Sequence, residues 1–235
     1  MKHISLMTLL FLTSFSAQSG EHLLSRTEIR SIVGTFPPHG SQEEMNDDNV
    51  LLELQQTRTQ QDCEAAASQS KLHVVGLFAL PSGPLTKQEL KRLKVPLLKL
   101  QATLGANIVW AKRLYKRQRP YLRNPEIVPC IRLENSSSFP SGHSATGRAV
   151  GKYLSKIYPD RAIEIMRIAN QVGKNRMIGG VHHPSDVIAG QKLGDAIANN
   201  FIHDRDCTNN DSCNNFPLTS FGLGYQSLVR EPPNL

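Results

Sequence analysis

Two stretches of this sequence set a histidine among glycines and hydroxyl residues, FPSGHSATG at residues 139–147 and NRMIGGVHHPSDV at residues 175–187. Both are too polar to be core. In the second, His182 precedes Asp186 by four residues, so one helical turn brings the carboxylate within reach of an imidazole N–H. Such a bond fixes the tautomer and leaves the other ring nitrogen free to attack an electrophile. The pattern is weak by itself, and His143 alone reads as a helix-capping or exposed histidine.

A third stretch, KRLYKRQRP at residues 112–120, concentrates positive charge: Lys112, Arg113, Lys116, Arg117, Arg119 and Arg123 fall close together. A run of this kind is most often a solvated helix face or a nucleic-acid patch. Lys112 and Arg119 are seven residues apart, almost two turns, so on a continuous helix both point the same way. Arg176 follows Val172 by one turn, on the side that carries Ile165 and Ile168. Each cation alone is explained by snorkelling outward or by pairing with a buried acid. Convergence of Lys112, Arg119 and Arg176 requires an anion of comparable charge, and the sequence offers few spare acids near these motifs. A phosphate meets the requirement, with Ser141 and the Gly142 backbone adding donors at the start of a helix.

The elements that would position these groups are helices. Asp47 or Asp48 could cap a helix over about 49–70, and TKQELKRLK is a short helix ending before Pro96. From Pro96 to about Gln118, Leu97, Leu100, Leu104, Ile108, Ala111 and Tyr115 form one apolar stripe. Ser141 suits the N-cap of a helix through about Ile157. Pro159 opens the next, with Ile165, Ile168, Ala169 and Val172 on one face. Pro184 starts a last core helix to about Phe201, followed by a polar tail. With no period-two strand pattern, the expected class is all-α, a compact multi-helix domain too uneven for a simple four-helix bundle.

A length of 235 residues allows one large domain. Residues 1–19 read as a signal peptide, with Lys2 and His3 before an apolar run and a small-x-small site ending near Ser19. That run is well short of the ~20 residues that span a bilayer. The expected organisation is a leader over 1–19, a catalytic domain over 20–203 and a tail over 204–235, in the periplasm or outside the cell. Export favours disulfides: Cys207 with Cys213, leaving Cys63 with Cys130, the alternative being that some stay free. No cysteine or histidine spacing suggests zinc. A net charge of +7 favours anionic partners without identifying one, and a leader argues against a genomic role.

Taken together, the three stretches resemble the signature of the type 2 phosphatidic acid phosphatase (PAP2) superfamily, and especially its soluble class A bacterial nonspecific acid phosphatases. The first block reads Lys112 to Arg119-Pro120, the second is Pro140 to His143, and the third is Asn175, Arg176, His182 and Asp186, with Asn175 replacing the usual serine. The looser match runs from Phe36 to about residue 203. This resemblance implies a phosphohistidine on His182, oriented by Asp186, with His143 as general acid and base. Lys112, Arg119, Arg176, Ser141 and Gly142 would bind the phosphoryl oxygens, and His183 would be a pocket-wall or surface residue. It implies no metal or cofactor. The expected substrates are small phosphomonoesters such as nucleotides, sugar phosphates and aryl phosphates. No nucleic-acid partner and no stable membrane insertion are expected, and homo-oligomer formation is left open. Rival readings are a metal hydrolase ligated by His143, His182 and Asp186, a vanadium haloperoxidase sharing the site, and an exported polyanion-binding protein.

Overall fold

The computed structural model describes residues 23–70, 74–79 and 83–208. The expected leader, most of the expected tail and, with Cys213, the expected Cys207–Cys213 bridge lie outside them. The described residues form helices and contain no strand: α1 Arg26–Val33, α2 Gln42–Thr57, α3 Gln60–Ser68, α4 Val74–Phe78, α5 Lys87–Arg92, α6 Lys94–Tyr115, α7 Pro120–Arg123, α8 Gly142–Ile157, a 3-10 turn Pro159–Arg161, α9 Ala162–Ile178 and α10 Pro184–Thr208. No described helix is long and apolar enough to cross a membrane.

The helix starts follow side-chain capping. Ser25, Thr59 and Thr86 each form a capping box with the acid three residues on, and the Ser141 hydroxyl accepts the Ser144 N–H at the start of α8. The expected cap at Asp47 or Asp48 is incorrect. Ser41 caps α2, whose N3 residue is Glu44, and the chain breaks at Arg58 and Thr59 before α3. Asp47 lies inside α2, where its carboxylate is drawn to Arg117 and Ser185.

The apolar stripes lie where their periodicity puts them. Leu100, Leu104 and Ala111 of α6, Ala145, Ala149 and Leu154 of α8, Ile165, Ala169 and Val172 of α9, and Leu193 and Ile197 of α10 share one core. The central helix is α8, packed on α9 and α10 through small residues. A Cβ on Gly190 would run into the Ser141 carbonyl oxygen, and one on Gly194 into that of Ala145. Glycine therefore sets how closely α10 approaches the start of α8. A disulfide joins Cys63 at the base of α3 to Cys130, with Cα atoms 5.8 Å apart.

Further boundaries differ from expectation: α6 begins at Lys94 rather than Pro96, and Pro159 opens a 3-10 turn ahead of α9, which begins at Ala162. Helix α10 continues past Phe201 to Thr208. Helix α6 stops at Tyr115, because Lys116 adopts a left-handed conformation (φ 50°) and Arg119 is extended ahead of Pro120. Lys112 and Arg119 are thus not on one helix face, and a turn rather than helical periodicity sets their relative placement.

Candidate active site

His182 lies in the short connection between α9 and α10 and is fully buried. Its Nδ1 is 3.3 Å from Asp186 Oδ2 and 3.4 Å from Ser138 Oγ, while its Nε2 is 2.9 Å from Arg119 NH1. A guanidinium can only donate, so Nε2 is the acceptor and the ring proton sits on Nδ1, facing Asp186. Burial first, and then the charge of Arg119, hold the imidazole well below its ordinary pKa. The ring is neutral, with an unprotonated Nε2.

Asp186 is held from several sides. Ser138 Oγ donates at 2.5 Å and the His183 N–H at 2.9 Å to Oδ2, and Arg117 NH1 donates at 2.7 Å to Oδ1. Burial alone would raise its pKa, but the hydrogen bonds from His182 and His183 together with the charge of Arg117 keep the carboxyl well below its usual range. Arg117 also reaches Asp47 and Ser185 and lies over the Phe36 ring, 5.2 Å from its centroid. The basic run is not a solvated face: Arg117 and Arg119 are both buried, and of its basic residues only Arg113 and Lys116 are exposed. His183 is likewise no surface residue. It is fully buried behind Asp186, with Nδ1 3.2 Å from Oδ2.

The expected cations converge. Arg119 spends Nε on the Ser136 carbonyl at 2.9 Å, NH1 on Val181 O at 2.8 Å and on His182, and NH2 on Glu134 Oε2 at 2.6 Å and Ser136 Oγ at 3.0 Å. Arg176, 1% exposed, donates NH2 to Glu134 Oε1. Its Nε and NH1 are buried and have no acceptor. Lys112 bonds the Ser137 carbonyl and feels the charges of Arg119, Arg176, Glu134 and Asp186. Burial is the main reason its pKa falls from 10.5 to about 7.

The PSGH segment completes the cluster. The Ser141 N–H donates to the Asp186 carbonyl at 2.9 Å, which fixes the start of α8 to the start of α10. A Cβ on Gly142 would lie 3.1 Å from Ile108 Cγ2 and 3.9 Å from Lys112 Cε, so this first residue of α8 brings its backbone close to the lysine. His143 follows, Nε2 3.1 Å from the Ser70 carbonyl and Nδ1 3.8 Å from Glu134 Oε1. A carbonyl only accepts, so Nε2 carries the proton. Burial and then Arg176 lower its pKa. Asn175 bridges Gln171 and Gln69.

Lys112, Arg119, His143, Arg176, His182 and Asp186 therefore meet, with Ser141 and Gly142 at the adjoining helix start. The expectation of few acids nearby is corrected by Glu134, whose carboxylate bridges Arg119 and Arg176. Glu134 sits in an irregular loop without periodicity, so nothing local signals where its side chain goes. The partners of Ser138 and Arg117 were equally silent, although each lies two residues before a motif residue.

Residues 96–206 match the family model described as PAP2 superfamily. Over 90 residues, 36% of this chain, the sequence is 38% identical to a "Non-specific acid phosphatase" of Salmonella typhimurium, a match that spans 35% of that relative. It is 26% identical over 162 residues to the "Acid phosphatase" of Zymomonas mobilis, covering 66% of this chain and 61% of the relative. The crystal structure of a transmembrane PAP2 type phosphatidylglycerolphosphate phosphatase from Bacillus subtilis shares the fold, with a TM-score of 0.52 at 21% identity, covering 72% of this chain and 88% of that one. The helical fold and the converging motif residues agree with the match of residues 96–206 to the PAP2 superfamily model.

Proposed function

We propose that the protein is an acid phosphatase that hydrolyses phosphomonoesters through a phosphohistidine on His182. The observation that carries this reading is the buried Arg176 guanidinium, with Nε and NH1 unpartnered, set beside Arg119, Lys112 and an imidazole whose Nε2 bears no proton. Buried donors without acceptors are costly, and a phosphoryl group would supply the missing oxygens.

In the first step Nε2 of His182 attacks phosphorus, forming the P–N bond as the ester P–O bond breaks. Lys112, Arg119, Arg176, Ser141 and the Gly142 N–H stabilise the charge on the equatorial oxygens. Asp186 keeps the Nδ1 proton in place and offsets the positive charge that develops on the ring. His143 gives its proton to the departing alkoxide. It then takes one from water, whose oxygen attacks phosphorus, breaks the P–N bond and releases orthophosphate.

The cation cluster favours this mechanism over one in which His143, His182 and Asp186 ligate a divalent metal, because three cations would repel it. Incubation with a chelator is expected to leave phosphate release from nitrophenyl phosphate unchanged, while vanadate inhibits competitively. Loss of activity on chelation, restored by a divalent ion, would establish the metal reading instead.

An acidic optimum follows from the lysine. With its pKa near 7 in the free protein, Lys112 is charged below that pH and neutral above it, so its contribution to phosphate binding is lost as pH rises through about 7. The lowered pKa of His143 likewise confines the acid form to low pH. The expected profile of kcat/KM falls on the alkaline side, and Lys112→Arg, which keeps its charge, shifts that limb upward. A wild-type profile still rising past pH 8 would contradict the assignment.

The same reading assigns residues 1–19 to a cleaved leader and the protein to the periplasm or exterior, a setting that suits the Cys63–Cys130 disulfide. Substrates would be nucleotides, sugar phosphates and aryl phosphates, bound chiefly through the phosphoryl group.

A further inference from the structure

Glu134 has no part in the proposed reaction, yet its carboxylate occupies the centre of the cation cluster. One oxygen accepts from Arg119 NH2 at 2.6 Å and the other from Arg176 NH2, with His143 Nδ1 3.8 Å away. The same Arg119 guanidinium holds the attacking Nε2 of His182 through NH1. A carboxylate that bridges two guanidiniums beside that nitrogen lies where two phosphoryl oxygens would lie.

We propose that Glu134 is an internal competitor for the phosphate seat: in the substrate-free protein its side chain fills the site, and a phosphate group binds by displacing it. This inference rests on the phosphatase reading and adds a residue that sets how tightly the same site takes its substrate.

The fit of the carboxylate is partial, which makes it exchangeable. It satisfies one nitrogen of Arg176 and leaves Nε and NH1 without acceptors, whereas a phosphate offers more oxygens and more charge to Arg119, Arg176 and Lys112. Displacement also requires little of the backbone. The main chain of Glu134 is fixed by Tyr121, whose hydroxyl donates to its carbonyl at 2.9 Å and accepts its N–H at 3.3 Å. The flanking residues Leu133 and Asn135 are exposed, so a side-chain rotation suffices to carry the carboxylate to solvent. Such rotations are fast, so the effect falls on the binding equilibrium rather than on the rate of chemistry. The carboxylate also stays charged throughout: burial would raise its pKa, but Arg119 and the other cations hold it at about 2.

The test is calorimetric titration of inorganic phosphate at pH 6 into wild type, Glu134→Ala and Arg176→Ala, with folding checked by circular dichroism. If the carboxylate fills the seat nine-tenths of the time, removing it tightens phosphate binding by roughly tenfold. Glu134→Gln, which keeps the shape and loses the charge, should tighten binding in the same direction and serves if the alanine variant does not fold. Binding in the folded variant that is equal to or weaker than wild type overturns the inference and makes Glu134 a support for the arginines. Arg176→Ala separates the two readings: if wild type binds phosphate and Arg176→Ala does not, the seat is real whatever Glu134 does. If neither wild type nor the Glu134 variants bind phosphate, the phosphatase reading fails and the inference falls with it.

Discussion

His182→Ala is expected to lower kcat for every phosphomonoester by at least roughly 10⁴-fold, because it removes the atom that attacks phosphorus. The size of the loss follows from the arrangement around the ring. Asp186 fixes Nδ1, Arg119 fixes Nε2, and both partners are buried. Substitution leaves a small cavity beside an ion-paired Asp186, and thermal unfolding should accompany the assay to show that the variant is folded. Rapid alkaline quench of wild type with a labelled ester should yield a protein-bound phosphate that is stable in base and labile in acid, as a phosphoramidate is. The variant should yield none. Substantial residual turnover, or an unchanged label in His182→Ala, would place the nucleophile elsewhere, and His183 would then be the first residue to examine.

His143→Ala should separate substrates by leaving group. Protonation by a positioned acid contributes roughly 10² to 10⁴-fold when the departing alkoxide is strongly basic. An alkyl phosphate should lose activity on that scale, and nitrophenyl phosphate, whose phenolate departs without a proton, should lose much less. Structurally, the assignment depends on the Ser70 carbonyl holding the proton on Nε2 and on Nδ1 facing the cation cluster, 3.8 Å from Glu134 Oε1. An equal loss on both substrates would remove His143 from the acid role and leave it as a binding residue beside Arg176.

Much of the scaffold was legible because helix starts and apolar stripes depend on near neighbours. Ser141 caps α8 with its own hydroxyl, and the stripe through Leu100, Leu104 and Ala111 is buried as its period requires. The same locality misled where two signals competed. Ser41 with Glu44 three residues on won over Asp47, and a left-handed Lys116 ended the helix that was to carry both Lys112 and Arg119. Those two cations still share the site, through a turn that brings both onto the 136–137 loop.

The site divides along the same line. The amino-acid sequence alone determined the helical class, the motif residues and the pairing of His182 with Asp186, because each rests on residue type and on spacing within a few turns. Tertiary structure alone decided the ionic partners. Glu134 meets Arg119 across 15 residues and Arg176 across 42, and Arg117 meets Asp186 across 69. Charges this far apart in the chain carry no local pattern. Which of them meet is settled by how α8, α9 and α10 pack and by the cost of leaving a buried charge unpaired.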